Sequence, residues 1–178
     1  MNSIGNLIAT VGDEKTLLIV CGEFAPNRSL EVSDSIFIYF LPENMLHQHD
    51  YYEKGRIQHL IDSKQCTQVI FLGTLERNLI ESFEQDAVYN ELRSILKFNL
   101  SIFLRNQAEA IISSPLRDQL LTEQHVIAQC SMLMDFYFIK DRVNQKQLTV
   151  IGLITDRTDQ FKRIFCNGII YNDIISMN

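Results

Sequence analysis

Two segments of this chain combine residue types that can do chemistry. Cys21 lies at the end of the apolar run TLLIVCG, and Glu23 and Arg28 follow it. A later run, TQVIFLG, is followed by Thr-Leu-Glu-Arg-Asn, which includes Arg77. Thiolates and carboxylates bind metals, and a thiol beside an arginine has a lowered pKa that favours nucleophilic attack. The second segment has no His, no Cys and no glycine-rich turn, so it is placed like a site but lacks a catalytic group.

The elements that must position these residues are four short apolar runs. Each run is continuous and rich in β-branched or aromatic residues, a pattern that predicts strands buried on both faces of a parallel sheet. The runs cover residues 16–22, 35–41, 67–73 and 148–155. Because ligands bind at the carboxyl ends of such strands, we expect the two chemical segments to lie at the same edge of the sheet.

Helical patterns separate the runs. The spacing of Ile57, Leu60 and Ile61 predicts a helix over 53–63. An apolar stripe predicts a second helix over 86–112, Ser114 with Pro115 predicts the start of a short third one, and a fourth is predicted over 124–142. The stripe of the fourth helix comprises Val126, Ile127, Cys130, Leu133, Met134, Tyr137 and Phe138. Its richness predicts packing on two surfaces, such as the core and a dimer interface.

The C-terminal part of the chain carries a turn signal. Asn167-Gly168 between two apolar segments predicts a two-residue hairpin and therefore an antiparallel edge. With the preceding elements, this predicts an α/β fold with a mostly parallel sheet flanked by helices. The 178 residues suit a single domain spanning 1–178.

Composition excludes several classes of function. The net charge of −6 argues against nucleic-acid binding, which needs Lys and Arg to replace counterions. Without a basic N-terminal segment or an apolar run long enough for a bilayer, we expect a cytoplasmic protein with no membrane partner. The four cysteines are widely separated and lack a CxxC motif, so Cys21 and Cys130 are interpreted as buried free thiols rather than disulfide partners.

The one cluster of histidines is HQHD at 47–50, with His59 further along. His47 and His49 could share a metal, with Asp50 adding a carboxylate. The surrounding sequence, LPENMLHQHDYYE, is that of a polar loop, which favours solvated side chains over a metal site.

The order of these segments resembles the β-class carbonic anhydrases. In that family the first strand ends in Cys-x-Asp-Ser-Arg and the third in Gly-His-x-x-Cys-Gly, and a helix with Asn-Val-x-x-Gln precedes a strand of the type Leu-x-Ile-x-Gly-x-x-Tyr-Asp. This chain offers a strand with a terminal Cys, then QVIFLG, HVIAQCSML and LTVIGLITD, a likeness over about residues 14 to 165. The resemblance implies that the four runs order as 2-1-3-4, with an antiparallel C-terminal addition, and that the protein forms a homodimer.

The resemblance also places the family's zinc site on this sequence. The matching positions are Cys21, Glu23, Ala25, Thr74, Arg77 and Asn78. The first thiolate falls on Cys21, but the family's His falls on Thr74 and its second Cys on Arg77. A single thiolate cannot hold Zn²⁺ against water, because zinc sites use three or four protein ligands. The resemblance therefore implies a non-catalytic, metal-free protein without cofactor, in a binding or interaction role.

Several alternatives stay open at this point. A carbonic anhydrase with a rebuilt zinc site is one, and a reactive Cys21 is another. A salt bridge of Arg77 with Glu76 and Glu23 would fill the vacated metal position. Alternatively, Arg28 and Arg77 would bind a small anion there.

Overall fold

The computed structural model of the protein describes residues 11, 13–21, 29–41, 46, 50–74, 114–155 and 161–171. For residues 21, 29–33, 74, 114–118, 120, 121 and 155 the description covers the backbone alone. The elements in chain order are β1 Thr16–Cys21, β2 Ser29–Ser33, β3 Ile36–Leu41, α1 Tyr51–Lys64, β4 Gln68–Thr74, α2 Ser114–Asp135, α3 Tyr137–Asn144, β5 Thr149–Thr155, β6 Phe161–Cys166 and β7 Ile169–Ile170. The helix predicted over 86–112 lies outside the described residues.

The strands form one mixed sheet in the order β2-β3-β1-β4-β5-β6-β7. The four central strands are the predicted apolar runs, and neighbouring members of this group pair in parallel. The predicted order 2-1-3-4 is therefore confirmed. Ile19 of β1 pairs with Tyr39 on one side and Phe71 on the other, and Phe71 pairs with Gly152 of β5.

The predicted C-terminal hairpin is also confirmed. Asn167 and Gly168 link β6 to β7 with positive φ angles of 47° and 91°, as a tight two-residue turn requires. The turn is fixed to β5 at both hydrogen-bonding groups of Val150. The Val150 N–H donates to Asn167 Oδ1 at 2.7 Å, and the Asn167 N–H donates to the Val150 carbonyl at 2.9 Å.

Strand β2 is not one of the four predicted runs. Residues Ser29–Ser33 pair antiparallel with β3 and form the edge of the sheet. The segment SLEVS is short and alternates polar with apolar residues, so it lacks the continuous apolar run that identifies a doubly buried strand. An edge strand needs a partner on one side only, which tertiary pairing with β3 supplies.

The predicted helix over 53–63 is confirmed by α1. Asp50 is its N-cap, and the Asp50 side chain accepts from the backbone N–H groups of Tyr52 and Glu53 at 3.1 and 3.0 Å. The Glu53 carboxylate is buried and accepts a hydrogen bond from the hydroxyl of Tyr39. This bond joins the first turn of α1 to β3.

The division of the next helical region differs from the prediction. The short helix predicted at Ser114 and the first part of the helix predicted over 124–142 form one 22-residue helix, α2. The chain then breaks at Phe136, whose ψ of 119° is extended, before α3 begins. This break changes the helical phase, so Phe136 is buried while Tyr137 is 79% exposed. Tyr137 therefore does not pack on the core of this chain, and packing of the stripe on a second surface stays a prediction. The other members of the stripe are buried or half-buried.

Both faces of the central sheet are buried. On one face, Leu17, Ile19 and Phe71 pack with residues of α1, α2 and α3. On the other, Leu18, Ile70 and Ile151 are 2 to 5% exposed. Burial on both faces explains why the four central runs are continuously apolar rather than alternating.

Helix α2 approaches the sheet where two neighbouring strands carry glycine. A Cβ atom added to Gly73 of β4 would overlap Cγ2 of Val126 and lie 3.1 Å from Cγ2 of Thr122. A Cβ atom added to Gly152 of β5 would lie 2.9 Å from Cγ1 of Val126 and 3.1 Å from Sγ of Cys130. Val126 therefore packs into a depression that exists because these two positions lack side chains.

We expect Gly73→Ala to lower the free energy of unfolding by about 1 to 3 kcal/mol, because the new methyl group meets Val126 in a packed core. Thermal or denaturant unfolding measures the change. The double variant Gly73→Ala, Val126→Ala should lose less stability than the sum of the two single changes, since truncating Val126 makes room for the added methyl group.

Gly55→Ala is the matched control. Gly55 lies in α1 with nothing within 4 Å of an added Cβ atom. This substitution should stabilise the protein by about 0.5 to 1 kcal/mol through helix propensity. Equal effects of the two Gly→Ala changes would contradict the packing role of Gly73.

Candidate functional site

The carboxyl ends of β1 and β4 define the candidate site. Cys21 is the last residue of β1 and Thr74 is the last residue of β4. The two strands are parallel neighbours in which Val20 pairs with Leu72. The backbone of Cys21 therefore lies next to that of Gly73, with Thr74 one residue further along.

The other predicted site residues lie outside the described residues. They are Glu23, Ala25, Arg28, Arg77 and Asn78. Their interactions, including a salt bridge with Glu76 or an anion bound by Arg28 and Arg77, stay predictions.

The residues at the two strand ends do not fit a zinc ion. Zinc is bound in proteins by thiolates, imidazoles and carboxylates. The described strand ends supply one cysteine, Cys21, and one hydroxyl residue, Thr74. Across the described parts of the chain, no group of three or more His, Cys, Asp and Glu side chains is arranged to hold a metal ion.

Only Asp50 and His59 of the predicted histidine cluster lie within the described residues. Asp50 is the N-cap of α1, where two backbone N–H groups already use its carboxylate. His59 is exposed on α1, and His47 and His49 lie outside the described residues. The alternative metal site with Asp50 therefore gains no support from the described part of the segment.

A buried polar stripe on α2 was missed by the sequence reasoning. Thr122, His125 and Gln129 are all less than a tenth exposed. Their spacing of i, i+3 and i+7 places them on one side of the helix. The stripe overlaps the motif HVIAQC, which carries part of the family resemblance. Polar residues at helical spacing beside the apolar stripe were the signal that could have revealed it.

The described contacts of the stripe run from the end of β4 into the core. The methyl group of Thr122 lies against Gly73. The ring of His125 meets the ring of Phe71 in an edge-to-face arrangement, with centroids 5.8 Å apart. Gln129 Oε1 accepts a hydrogen bond from the backbone N–H of Leu46 at 2.7 Å.

The amide nitrogen of Gln129 is the unusual atom of the stripe. The side chain is fully buried, yet Nε2 has no hydrogen-bond partner. An unpaired buried donor costs about 1 to 3 kcal/mol, and few such groups occur in native proteins. Each therefore requires an explanation, such as an internal water or a bound ligand.

The buried charge next to the stripe is already compensated. Glu123 is 1% exposed, and its Oε1 accepts from Lys162 Nζ at 3.3 Å and from Gln119 Nε2 at 2.9 Å. This ion pair links α2 to β6. Removing Lys162 would leave a buried carboxylate without its cation, which is strongly destabilising.

The cysteines outside β1 differ in their environment. Burial raises the pKa of Cys66 to about 11, although nearby Lys15 and Lys64 lower it in part. Burial also raises the pKa of Cys130, which confirms its interpretation as a buried thiol. Cys166 is partly exposed, and all three are free.

The known proteins that resemble this chain are recognised by structure rather than by sequence. No model of a protein family matches the sequence, and no curated protein matches it significantly. Among solved structures, the β-carbonic anhydrase CafD of Aspergillus fumigatus is 19% identical with a TM-score of 0.62, covering 85% of this chain and 90% of its own. A tetrameric β-carbonic anhydrase of Sordaria macrospora is 16% identical with a TM-score of 0.62, covering 91% and 86%.

A third structure, a Coccomyxa β-carbonic anhydrase in complex with acetazolamide, is 16% identical with a TM-score of 0.56, covering 94% of this chain and 79% of its own. The chain therefore has the fold of the β-carbonic anhydrases. At these identities, the likeness shows the fold alone. Within the described residues, no helix is long and apolar enough to span a membrane.

We expect alkylation of the native protein by iodoacetamide at neutral pH to modify Cys166 well before Cys66 and Cys130, because the thiolate is the reactive form and burial suppresses it. Peptide mapping by mass spectrometry reports each cysteine separately. Faster labelling of Cys66 than of Cys166 would contradict the described burial.

Cys66 also makes the stability of the protein depend on pH in the alkaline range. Its folded-state pKa of about 11 lies above that of an unfolded cysteine. The unfolded state therefore loses its proton first, and stability is lost as pH rises from about 9 through about 11. In Cys66→Ala this part of the loss should be absent, as shown by comparing unfolding curves of the two proteins across that range.

Proposed function

We propose that this protein is a non-catalytic, metal-free relative of the β-carbonic anhydrases with a binding or interaction role. The observation that carries the proposal is the end of β4. There the chain has Thr74 where the family's motif has its zinc-binding histidine, beside a β1 that ends in Cys21.

The chemistry of the donor set supports this proposal. A catalytic zinc site needs three protein ligands and one open position for water. Zinc then lowers the pKa of its bound water from about 15.7 to about 7, which supplies a nucleophile at neutral pH. In the sequence, Arg77 replaces the second thiolate and brings a fixed positive charge. Cys21 alone cannot compensate for the loss of the histidine at position 74 and of the second thiolate at position 77.

A comparison with the family motif, in which one residue is retained and the next is replaced, also supports the proposal. Gly73 matches the glycine of the family motif, and the close contact with Val126 gives it a packing role. Thr74, the next residue, occupies the position that carries the chemistry. The fold can therefore persist after the metal ligands have been replaced, because packing and metal binding depend on different residues.

We propose in addition that the protein is cytoplasmic and forms a homodimer. The solved relative from Sordaria macrospora is described as tetrameric, and this chain exposes large aromatic side chains at Tyr51, Tyr52 and Tyr137. Light scattering coupled to size exclusion should give twice the mass of 20.6 kDa. A monomer at micromolar concentration would contradict the dimer.

We expect protein purified without added zinc to contain less than about a tenth of an equivalent of the metal, and to hydrate CO₂ no faster than buffer. Elemental analysis and stopped-flow assays measure these quantities. Near-stoichiometric zinc would contradict the proposal and favour the alternative, a carbonic anhydrase with a rebuilt site.

A matched variant tests the physical reason. The double substitution Thr74→His, Arg77→Cys restores the ligand types of the family motif beside Cys21, so it should bind zinc more tightly than the wild type. Adding Cys21→Ser to that variant should remove the gain. If the restored ligands bind no more zinc than the wild type, the assignment of these positions is wrong.

A further inference from the structure

The polar stripe of α2 (Thr122, His125 and Gln129) has a composition that packing does not require. The neighbouring stripe of Val126, Cys130 and Leu133 already supplies the apolar contact with the sheet. With a rise of about 1.5 Å per residue, the polar stripe extends about 10 Å along the helix. Within this row, the buried donor Gln129 Nε2 has no hydrogen-bond partner among the described residues, which packing alone does not explain.

The two ends of the stripe show where such a site lies. Thr122 contacts Gly73 at the carboxyl end of β4, the edge where ligands bind in parallel sheets. Gln129 lies two turns deeper, where its Oε1 holds the backbone N–H of Leu46. This oxygen is the atom of the Gln129 side chain that forms a hydrogen bond within the described part of the protein. Its buried amide nitrogen is left with two N–H donors and no acceptor.

We propose that the polar stripe forms one wall of a binding site for a small uncharged molecule that carries a carbonyl oxygen. Gln129 Nε2 donates a hydrogen bond to that oxygen, and the stripe toward Thr122 lines the way to the edge of the sheet. The amide nitrogen can only donate and has no acceptor in the described part of the chain, so the bound molecule supplies the acceptor.

The charge distribution favours an uncharged ligand over an anion. The carboxamide of Gln129 carries no charge, and burying an anion against neutral donors is unfavourable. Lys162, which is partly exposed, is already paired with the buried carboxylate of Glu123. A neutral amide or ketone satisfies the donor without bringing an unpaired charge into the core.

This inference rests on the proposed function in one respect: it assigns a class of ligand to the binding role proposed above. The stripe includes none of the positions matched to the zinc site. A failure here would therefore leave the metal analysis unaffected, and the presence of zinc would not decide the occupancy of the stripe.

Acetamide is a suitable probe, with acetate as its charged counterpart of similar size. In ¹⁵N-labelled protein, the side-chain amide resonances of Gln129 are assigned by their loss in Gln129→Glu. That substitution keeps an oxygen acceptor for Leu46 and removes both N–H donors. We expect acetamide to shift these resonances saturably and to raise the melting temperature of the wild type, with acetate at least about tenfold weaker.

The variants separate a ligand site from a structural group. Gln129→Glu, checked for folding by circular dichroism, should lose the thermal response to acetamide. Thr122→Val keeps the methyl group against Gly73 and should weaken the response if the site extends to the stripe's outer end. The proposal is overturned if the Gln129 resonances do not shift when acetamide is added. It is also overturned if they show a cross-peak to a long-lived internal water and no response to the probe.

Discussion

The contact of Val126 with Gly73 and Gly152 is the constraint on which the arrangement of the sheet and α2 depends. Two glycines on neighbouring parallel strands let the helix approach more closely than side chains would allow. That approach sets the position of the whole helix. It places Thr122 over the end of β4 and Cys130 against β5, and it brings Glu123 within reach of Lys162 on β6.

The same contact separates the packing role of Gly73 from that of the residue that follows it. Gly73 and Thr74 are consecutive, yet the first packs against α2 and the second is the last residue of β4. Replacing Gly73 would disturb the core, whereas replacing its neighbour leaves the parallel pairing with Thr155 of β5 in place.

Buried polar groups connect neighbouring elements of the fold. The Tyr39–Glu53 hydrogen bond joins β3 to α1, and the Glu123–Lys162 pair joins α2 to β6. The bond from Leu46 to Gln129 joins the segment after β3 to α2. In each case, loss of one partner removes a hydrogen bond from a buried group, which costs more than the same loss at the surface, so these bonds restrict the alternatives available to a core of similar composition. Gln129 differs because half of its carboxamide is still unpaired.

The sequence by itself determined the four doubly buried strands, the Asn167-Gly168 hairpin and α1, because continuous apolar runs, turn residues and helical spacing are local signals. With the family resemblance, it also predicted the strand order. Only the tertiary structure decided that SLEVS becomes the edge strand β2, since that segment gains its order from pairing with β3. The break at Phe136 and the burial of Thr122, His125 and Gln129 likewise depend on how α2 meets the sheet. Periodicity shows which side of a helix a residue occupies, but long-range contact decides whether that side is buried.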